Sequence, residues 1–344
     1  MKSKYFKQFC RDRNLRKSTV DGYRVSLILY SNYHGMALDS LIFEALKEES
    51  SSSKLRDRKI RIRLISFRNY LLKKDMSQNT IKTYFSKVKT FYKHFEIDIP
   101  ILPNVNYAKE YQLNYYDIPS KEDIRKVISI VPLDLKALIL FISSSGTSKA
   151  EALSLTVKDF IDGCSEYYNY QNLDAILNEL SYKDNVVPTI YLKRIKTEKY
   201  YYTFCSPEAT SYIVKYLKSR ESLSFSDKLF PFSKSNITTK FQRINDYMGW
   251  GTRGYFRFFR THSLRKYHAS NIGLPAEYVD ALQGRQKNKV HDAYIKTNPK
   301  QLKEYYMNNM SNIMIFPKIN NEEEINEEIN ITINIFLSDM HLTL

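Results

Sequence analysis

Cysteine is scarce, and the three that occur, Cys10, Cys164 and Cys205, are scattered along the chain. An odd, dispersed set excludes a disulfide framework and fits a reducing compartment. No Cys-x-x-Cys pair exists, and the six histidines never fall at His-x-His or His-x-x-x-His spacing. The patterns that hold zinc are therefore missing, and no metal is expected. Glycine, at nine residues, is too thin for a collagen-like or glycine-linker chain. The longest apolar run, Ala137 to Ile142, is far too short to span a bilayer. The opening MKSKYFKQFC lacks the apolar stretch of a secretory signal. The expectation is an intracellular protein with no membrane partner. Gly-x-Ser-x-Gly and His-Glu-x-x-His are absent, and no carboxylate cluster points to a two-metal nuclease. Gly146-Thr147-Ser148-Lys149 lacks both the earlier glycine and the following hydroxyl residue of a phosphate-binding loop.

What the sequence has in excess is positive charge. Its 344 residues carry 53 Lys/Arg against 37 Asp/Glu, a formal net charge of +16. Residues 1–100 hold 22 Lys/Arg and 10 Asp/Glu, whereas residues 317–344 hold one lysine and six acidic residues. Without that tail the body stands at +21, since the tail contributes −5 to the +16. A body so basic, interleaved with 28 tyrosines and 19 phenylalanines, faces a polyanion most naturally, and nucleic acid is the expected partner. The length suits two domains or one large one.

The pattern is mainly α (α+β). Residues 1–96 read as a helical domain. Ser18 with Asp21 resembles a capping box ahead of Val20, Tyr23, Leu27, Ile28 and Tyr30. A second periodic stretch runs from about Lys59 to Leu72. A third begins near Asn79 or Thr80, with Ile81, Tyr84, Phe85, Val88, Phe91, Tyr92 and Phe95 on one stripe. Its polar side carries Lys82, Lys87, Lys89 and Lys93. One amphipathic helix with a solvated basic face is ordinary. Several sharing the same bias read better as a clamp on a phosphate backbone, with these four lysines as DNA contacts.

Residues 97–118, with Pro100 and Pro103, read as an extended linker. A second domain spans 119–316. Ser120 with Asp123 caps a helix that Pro132 stops, and Leu133 to Ser145 reads as a buried helix. Thr189 to Ile195 and Tyr200 to Phe204 flank the polar turn Lys196-Thr197-Glu198-Lys199, a small antiparallel hairpin. Ser206-Pro207-Glu208 starts another helix. Further helices are expected at about 237–248, 263–272, 276–283 and Pro299 to about Met310. Residues 317–344 form an acidic tail that reads either as a disordered segment or, by its isoleucine spacing, as a short strand or helix that docks on a partner.

One constellation in this half carries chemistry. His262 and Arg265 lie three apart, on one helix face. Leu282-Gln283-Gly284-Arg285 follows, and nine residues beyond Arg285 stands Tyr294. Upstream lie Gly146-Thr147-Ser148-Lys149-Ala150-Glu151 and the hairpin lysine Lys196 before Thr197. This order and spacing resembles the tyrosine recombinase, or phage-type integrase, family over about residues 1–310. The family pattern is an Arg in Gly-x-Arg-x-x-Glu-Leu, a hairpin Lys, His-x-x-Arg, Gly-His or Gly-Trp, and a nucleophilic Tyr nine residues later. His-x-x-Arg alone is weak in a basic chain; the whole series is far more specific.

The resemblance implies a helical core-binding domain and a helical catalytic domain that together grip duplex DNA as a C-shaped clamp. Tyr294 would attack a phosphorus atom and form a 3′-phosphotyrosine, chemistry that needs neither metal nor nucleotide cofactor. Arg265 would bind the non-bridging oxygens as charge gathers on them. Lys196 would protonate the departing 5′ oxygen, and His262 would serve as acid/base or as a hydrogen-bond donor to phosphate. Exchange of strands implies a tetramer on DNA, with the tail contacting a neighbouring protomer and room for an accessory DNA-bending protein. The expected setting is the cytoplasm of a prokaryotic host, in a virus or other mobile element. Tyr305 and Tyr306 rival Tyr294, and Lys193 and Lys199 rival Lys196. His268 and His291 receive no role.

Two positions depart from the family pattern. Ser148 stands where the first arginine belongs, with Lys149 beside it as the alternative cation. Arg285 stands at the usual His or Trp position, where it remains a phosphate donor. A relative that binds DNA without cutting it is the competing reading, and a type IB-like topoisomerase is a third.

Overall fold

The computed structural model of the chain describes residues 2–51, 54–107, 111–285 and 298–316. Tyr294 and the acidic tail 317–344 lie outside the described residues. Two units follow one another, dividing between Gln112 and Leu113.

The first unit is built from helices α1 (Lys4–Asp12), α2 (Lys17–His34), α3 (Leu38–Glu49), α4 (Lys59–Leu72) and α5 (Gln78–His94). Ser77 caps α5, its hydroxyl accepting the Thr80 N–H at 3.2 Å. The start of α2 differs from the expected box. The helix begins at Lys17, so Ser18 lies inside the first turn and Arg16 occupies the cap without a side-chain bond. Apolar faces of the five helices close on Phe9, Leu27, Tyr30, Phe67, Phe91 and Tyr92, all fully buried. The hydroxyls of Tyr30 and Tyr92 meet at 3.0 Å, so two phenols deep in the core satisfy each other. Beyond α5 the chain stays on this unit. Ile97 is buried, and Arg68 donates to the Pro103 carbonyl at 2.7 Å.

The second unit opens with α6 (Lys121–Ile130), capped by a reciprocal Ser120–Asp123 box. It continues with α7 (Leu133–Ser145), α8 (Lys149–Ala152), α9 (Val157–Gly163) and α10 (Leu173–Ser181). Strands β1 (Thr189–Lys193) and β2 (Tyr200–Phe204) pair antiparallel, Thr189 opposite Phe204 and Lys193 opposite Tyr200. Then come α11 (Pro207–Lys218), α12 (Lys234–Tyr247), the two-residue strands β3 (Thr252–Arg253) and β4 (Phe256–Arg257), α13 (Thr261–Asn271), α14 (Ala276–Leu282) and α15 (Pro299–Asn309). Helix α7 is buried on every side from Ala137 to Ser145, with α11 and α13 packed against it. A helix apolar all round belongs in such a position. Gly249, Gly251 and Gly254 have the spacing of a dinucleotide-binding fingerprint. They follow a helix and shape the β3–β4 hairpin, whereas that fingerprint requires a strand leading into a helix. Among the described residues no helix is long and apolar enough to cross a membrane.

Gly146 ends α7 at φ +65°, and a Cβ there would stand 2.6 Å from His268 Nδ1 and 2.8 Å from Gln283 Nε2. Strain and overlap therefore add, each costing about 1–3 kcal/mol. Gly146→Ala is expected to lower the unfolding free energy of this unit by about 2–5 kcal/mol. Urea unfolding checks this; a loss below about 1 kcal/mol would contradict the packing described.

Candidate active site

The C-terminus of α7 ends where three other segments converge: α13, the turn after α14, and the β1–β2 hairpin. Arg265, on α13, is 5 % exposed. Its Nη1 donates to the Gly146 carbonyl at 2.6 Å and its Nη2 to the Gln283 carbonyl at 2.7 Å. A guanidinium has five N–H donors, and these two bonds anchor it to the backbone. Beneath it lies Glu151, 3 % exposed, whose Oε2 is 3.9 Å from Arg265 Nη1. That carboxylate also accepts the Tyr201 hydroxyl at 3.1 Å and the Ser148 N–H at 3.0 Å. The buried acid thus fixes the guanidinium from below.

Gln283 completes the support. Its Nε2 donates to the Arg265 carbonyl at 3.1 Å and lies 3.0 Å from His268 Nδ1. Since an amide nitrogen only donates, His268 Nδ1 is the acceptor and the ring is neutral. Burial first, then the charges of Arg265 and Arg285, lower the His268 pKa to about 3. A folded-state pKa below the ordinary 6.5 means the unfolded chain takes the proton first. This residue's stabilising contribution is complete above pH 6.5 and is lost as pH falls towards 3. Glu208 works in the opposite sense: burial raises its pKa to about 7, so it favours the fold as pH falls from 7 to its unfolded value. His268→Gln is expected to flatten the pH dependence of unfolding between pH 6.5 and 3 by about one proton. An unchanged slope would exclude the assignment.

His262 occupies the same face of α13 one turn earlier and opens to solvent. Partial burial, then the charges of Arg260, Lys266, Arg265 and Arg285, lower its pKa to about 4. An open ring is desolvated little, so the surrounding cations deserve more of the effect than burial. The imidazole is neutral at pH 7. It lines a cleft of about 330 Å³ together with Lys149 and Arg260.

The structure thus gathers Lys149, His262, Arg265 and Arg285 around one region. Arg285, exposed, makes a loose ion pair with Asp280 at 3.5 Å. Lys149 is turned towards α12, its Nζ donating to Thr238 Oγ1 at 2.6 Å and to the Lys234 carbonyl at 3.2 Å. Ser148 is spent on capping α8, where its hydroxyl accepts the Glu151 N–H at 3.4 Å. Lys196 stands on the exposed turn after β1. From that turn, Arg194 reaches the cluster, its Nη1 donating to the carbonyls of Gln283 at 3.0 Å and Gly284 at 2.5 Å.

Sequence reading passed over Arg194 and Arg260. Arg194 stood two positions before Lys196 in the same turn, and Arg260 two positions before His262. Of the rival tyrosines, Tyr306 is fully buried and donates to the Ser144 carbonyl at 3.0 Å. Tyr305 packs on Tyr278 at 4.7 Å between ring centroids.

In the first unit, Lys82 and Lys93 are exposed on α5, and Lys89 shares their stripe at helical spacing. Lys87 departs from it: its Nζ sits 5.7 Å from the Tyr23 ring centroid, against α2.

No family model matches the chain, and no curated protein does. Solved structures do. A lambda integrase tetramer bound to a Holliday junction is 12% identical, with a TM-score of 0.53, over 85% of this chain and 78% of that one. A lambda integrase dimer bound to a COC′ core site is 12% identical, with a TM-score of 0.53, over 86% and 97%. XerH recombinase bound to its difH substrate is 17% identical, with a TM-score of 0.46, over 87% and 82%. This chain has the integrase fold of the tyrosine recombinases, mainly α with small antiparallel sheets.

Proposed function

We propose that this protein is a site-specific DNA recombinase that cuts and rejoins duplex DNA through a 3′-phosphotyrosine, integrating or excising a virus or other mobile element. The observation that carries this reading is the setting of Arg265 on the integrase fold. A buried guanidinium, held by two backbone carbonyls and one hidden carboxylate, stands beside His262 and further cations. Such a site suits a phosphorus centre that gains charge on its equatorial oxygens.

In the reaction, the Tyr294 phenolic oxygen bonds to the scissile phosphorus as the bond from phosphorus to the 5′ oxygen breaks. The phenol gives up its proton to solvent water, and Lys196 donates one to the departing 5′ oxygen. One phosphodiester is consumed and one phosphotyrosyl ester is made, so the bond energy is kept for religation. His262, neutral at pH 7, serves as hydrogen-bond donor to the phosphate. The lysine stripe of α5 contributes phosphate contacts that position the duplex. Four protomers act together, since two duplexes present four strands to exchange, and the tail from residue 317 contacts a neighbour.

A duplex carrying the attachment sequence, nicked just beyond the cleavage point, tests this. The short 5′ hydroxyl fragment diffuses away, religation fails, and a covalent protein–DNA band should accumulate. A second reading, a DNA-binding relative without strand cleavage, is favoured by Ser148 standing where the first arginine belongs. Tight binding with no covalent band would decide for it.

A further inference from the structure

The second phosphate-binding guanidinium of the site has a replacement in this fold. We infer that Arg260 supplies it, from the loop ahead of α13, in place of the arginine that Ser148 displaces. This rests on the strand-transfer reading for its meaning, and on the cleft for its geometry.

The cleft of about 330 Å³ is lined by Lys149, Arg257, Arg260 and His262, and by no carboxylate. Apolar and aromatic side chains, among them Ile237, Phe241 and Phe259, make up much of the remaining wall, and the basic side chains on it favour an anion. The three basic side chains beside His262 are not equally available. Arg257 makes a two-pronged pair with Asp246 at 2.9 and 3.0 Å. Lys149 is donated to Thr238 and the Lys234 carbonyl, and as a point charge it cannot clamp two oxygens. Arg260 has no ion-pair partner among the described residues. Its guanidinium lies 4.2 Å from the centroid of the Phe256 ring, which orients the planar fork without using its N–H donors.

Arg260 also faces the right neighbour. Of the charges that lower the His262 pKa, that of Arg260 acts most strongly, ahead of Lys266, Arg265 and Arg285. Arg260 and His262 line the same cleft, from the residue just before α13 and from its first turn. A phosphate seated at His262 in that cleft meets the Arg260 fork. The first arginine of the family pattern would come from position 148, at the head of α8. Here the same charge comes from the other wall of the cleft.

The test is titration of inorganic phosphate at constant ionic strength into the full chain carrying labelled histidine. The His262 ring signal is assigned through His262→Gln. In the wild type the ring should shift saturably, and its pKa should rise as the anion offsets the cations. Arg260→Gln is expected to weaken phosphate binding at least 10-fold, and Arg260→Lys to restore part of it. An unchanged unfolding midpoint and His268 signal show that the variants fold. On the nicked duplex, Arg260→Gln should slow covalent trapping about 10²–10³-fold. A linear, unsaturable shift in the wild type, or equal affinity in Arg260→Gln, would overturn the assignment. Absence of any covalent band from the wild type would sink the recombinase reading instead, and leaves the phosphate titration standing by itself.

Discussion

Replacing Tyr294 by Phe is expected to abolish the covalent protein–DNA band while leaving duplex affinity within about twofold. The change removes a single oxygen, and that oxygen is the proposed nucleophile. The ring stays, so packing and binding are little altered. Among the described residues, Tyr201, Tyr305 and Tyr306 are engaged elsewhere. Tyr306 is sealed in the core with its hydroxyl on the Ser144 carbonyl, and Tyr201 donates to the buried Glu151. For Tyr201, burial and the adjacent carboxylate push the pKa far above the ordinary value of 10, which makes it a poor nucleophile. Tyr305 is engaged with Tyr278 and accepts from Gln301 at 3.2 Å. Residual trapping above about one per cent of wild type would point to a different attacking group.

Arg265→Ala should strike both chemistry and stability. Chemically it removes the fork proposed to face the phosphate, and the loss of such a donor costs on the order of 10²–10³ in rate. Structurally it strands Glu151, which is 3 % exposed and stays among buried groups without its cation. Breaking a buried pair from one side costs about 3–5 kcal/mol. The separation of 3.9 Å and the other donors to Glu151 place the expected loss near the lower end. Gly146 and Gln283 also lose the donor to their carbonyls. Arg265→Lys separates the two effects, because it keeps a charge near Glu151 but cannot present a planar fork. It should recover most of the stability and little of the trapping rate. Near-wild-type trapping by Arg265→Ala would remove this residue from the chemistry.

Much of this architecture was legible from local chemistry. Helices α4 and α7 have the limits that their apolar periodicity and neighbouring Pro132 and Gly146 announce. Ser120–Asp123 and Ser206–Pro207 marked helix starts because the cap is a matter of two or three residues. Helices α8 and α9 carry too few residues for a period to register. Their capping boxes, Ser148–Glu151 and Thr156–Asp159, were the available signal. Helix α12 starts at Lys234, ahead of its apolar residues, because Ser233 caps it.

The site divides along the same line. His262 and Arg265 were legible as an i, i+3 pair on one helix. What each cation touches was not, because several of those contacts join residues about 85 to 120 positions apart, as from Lys149 to Lys234 and from Gly146 to Arg265. Arg194 and Lys196 share one turn, and only the folded hairpin tells which of them bends towards Gly284. Lys87 was grouped with Lys82, Lys89 and Lys93 by charge, whereas helical geometry sets it on another side, against Tyr23.

Mass-spectrometric mapping of the trapped protein–DNA species, after nuclease digestion, identifies the residue that carries the nucleotide. The account predicts a single modified peptide bearing a 3′-linked nucleotide on Tyr294. A nucleotide attached to Tyr305, to any serine or to no residue at all would contradict it.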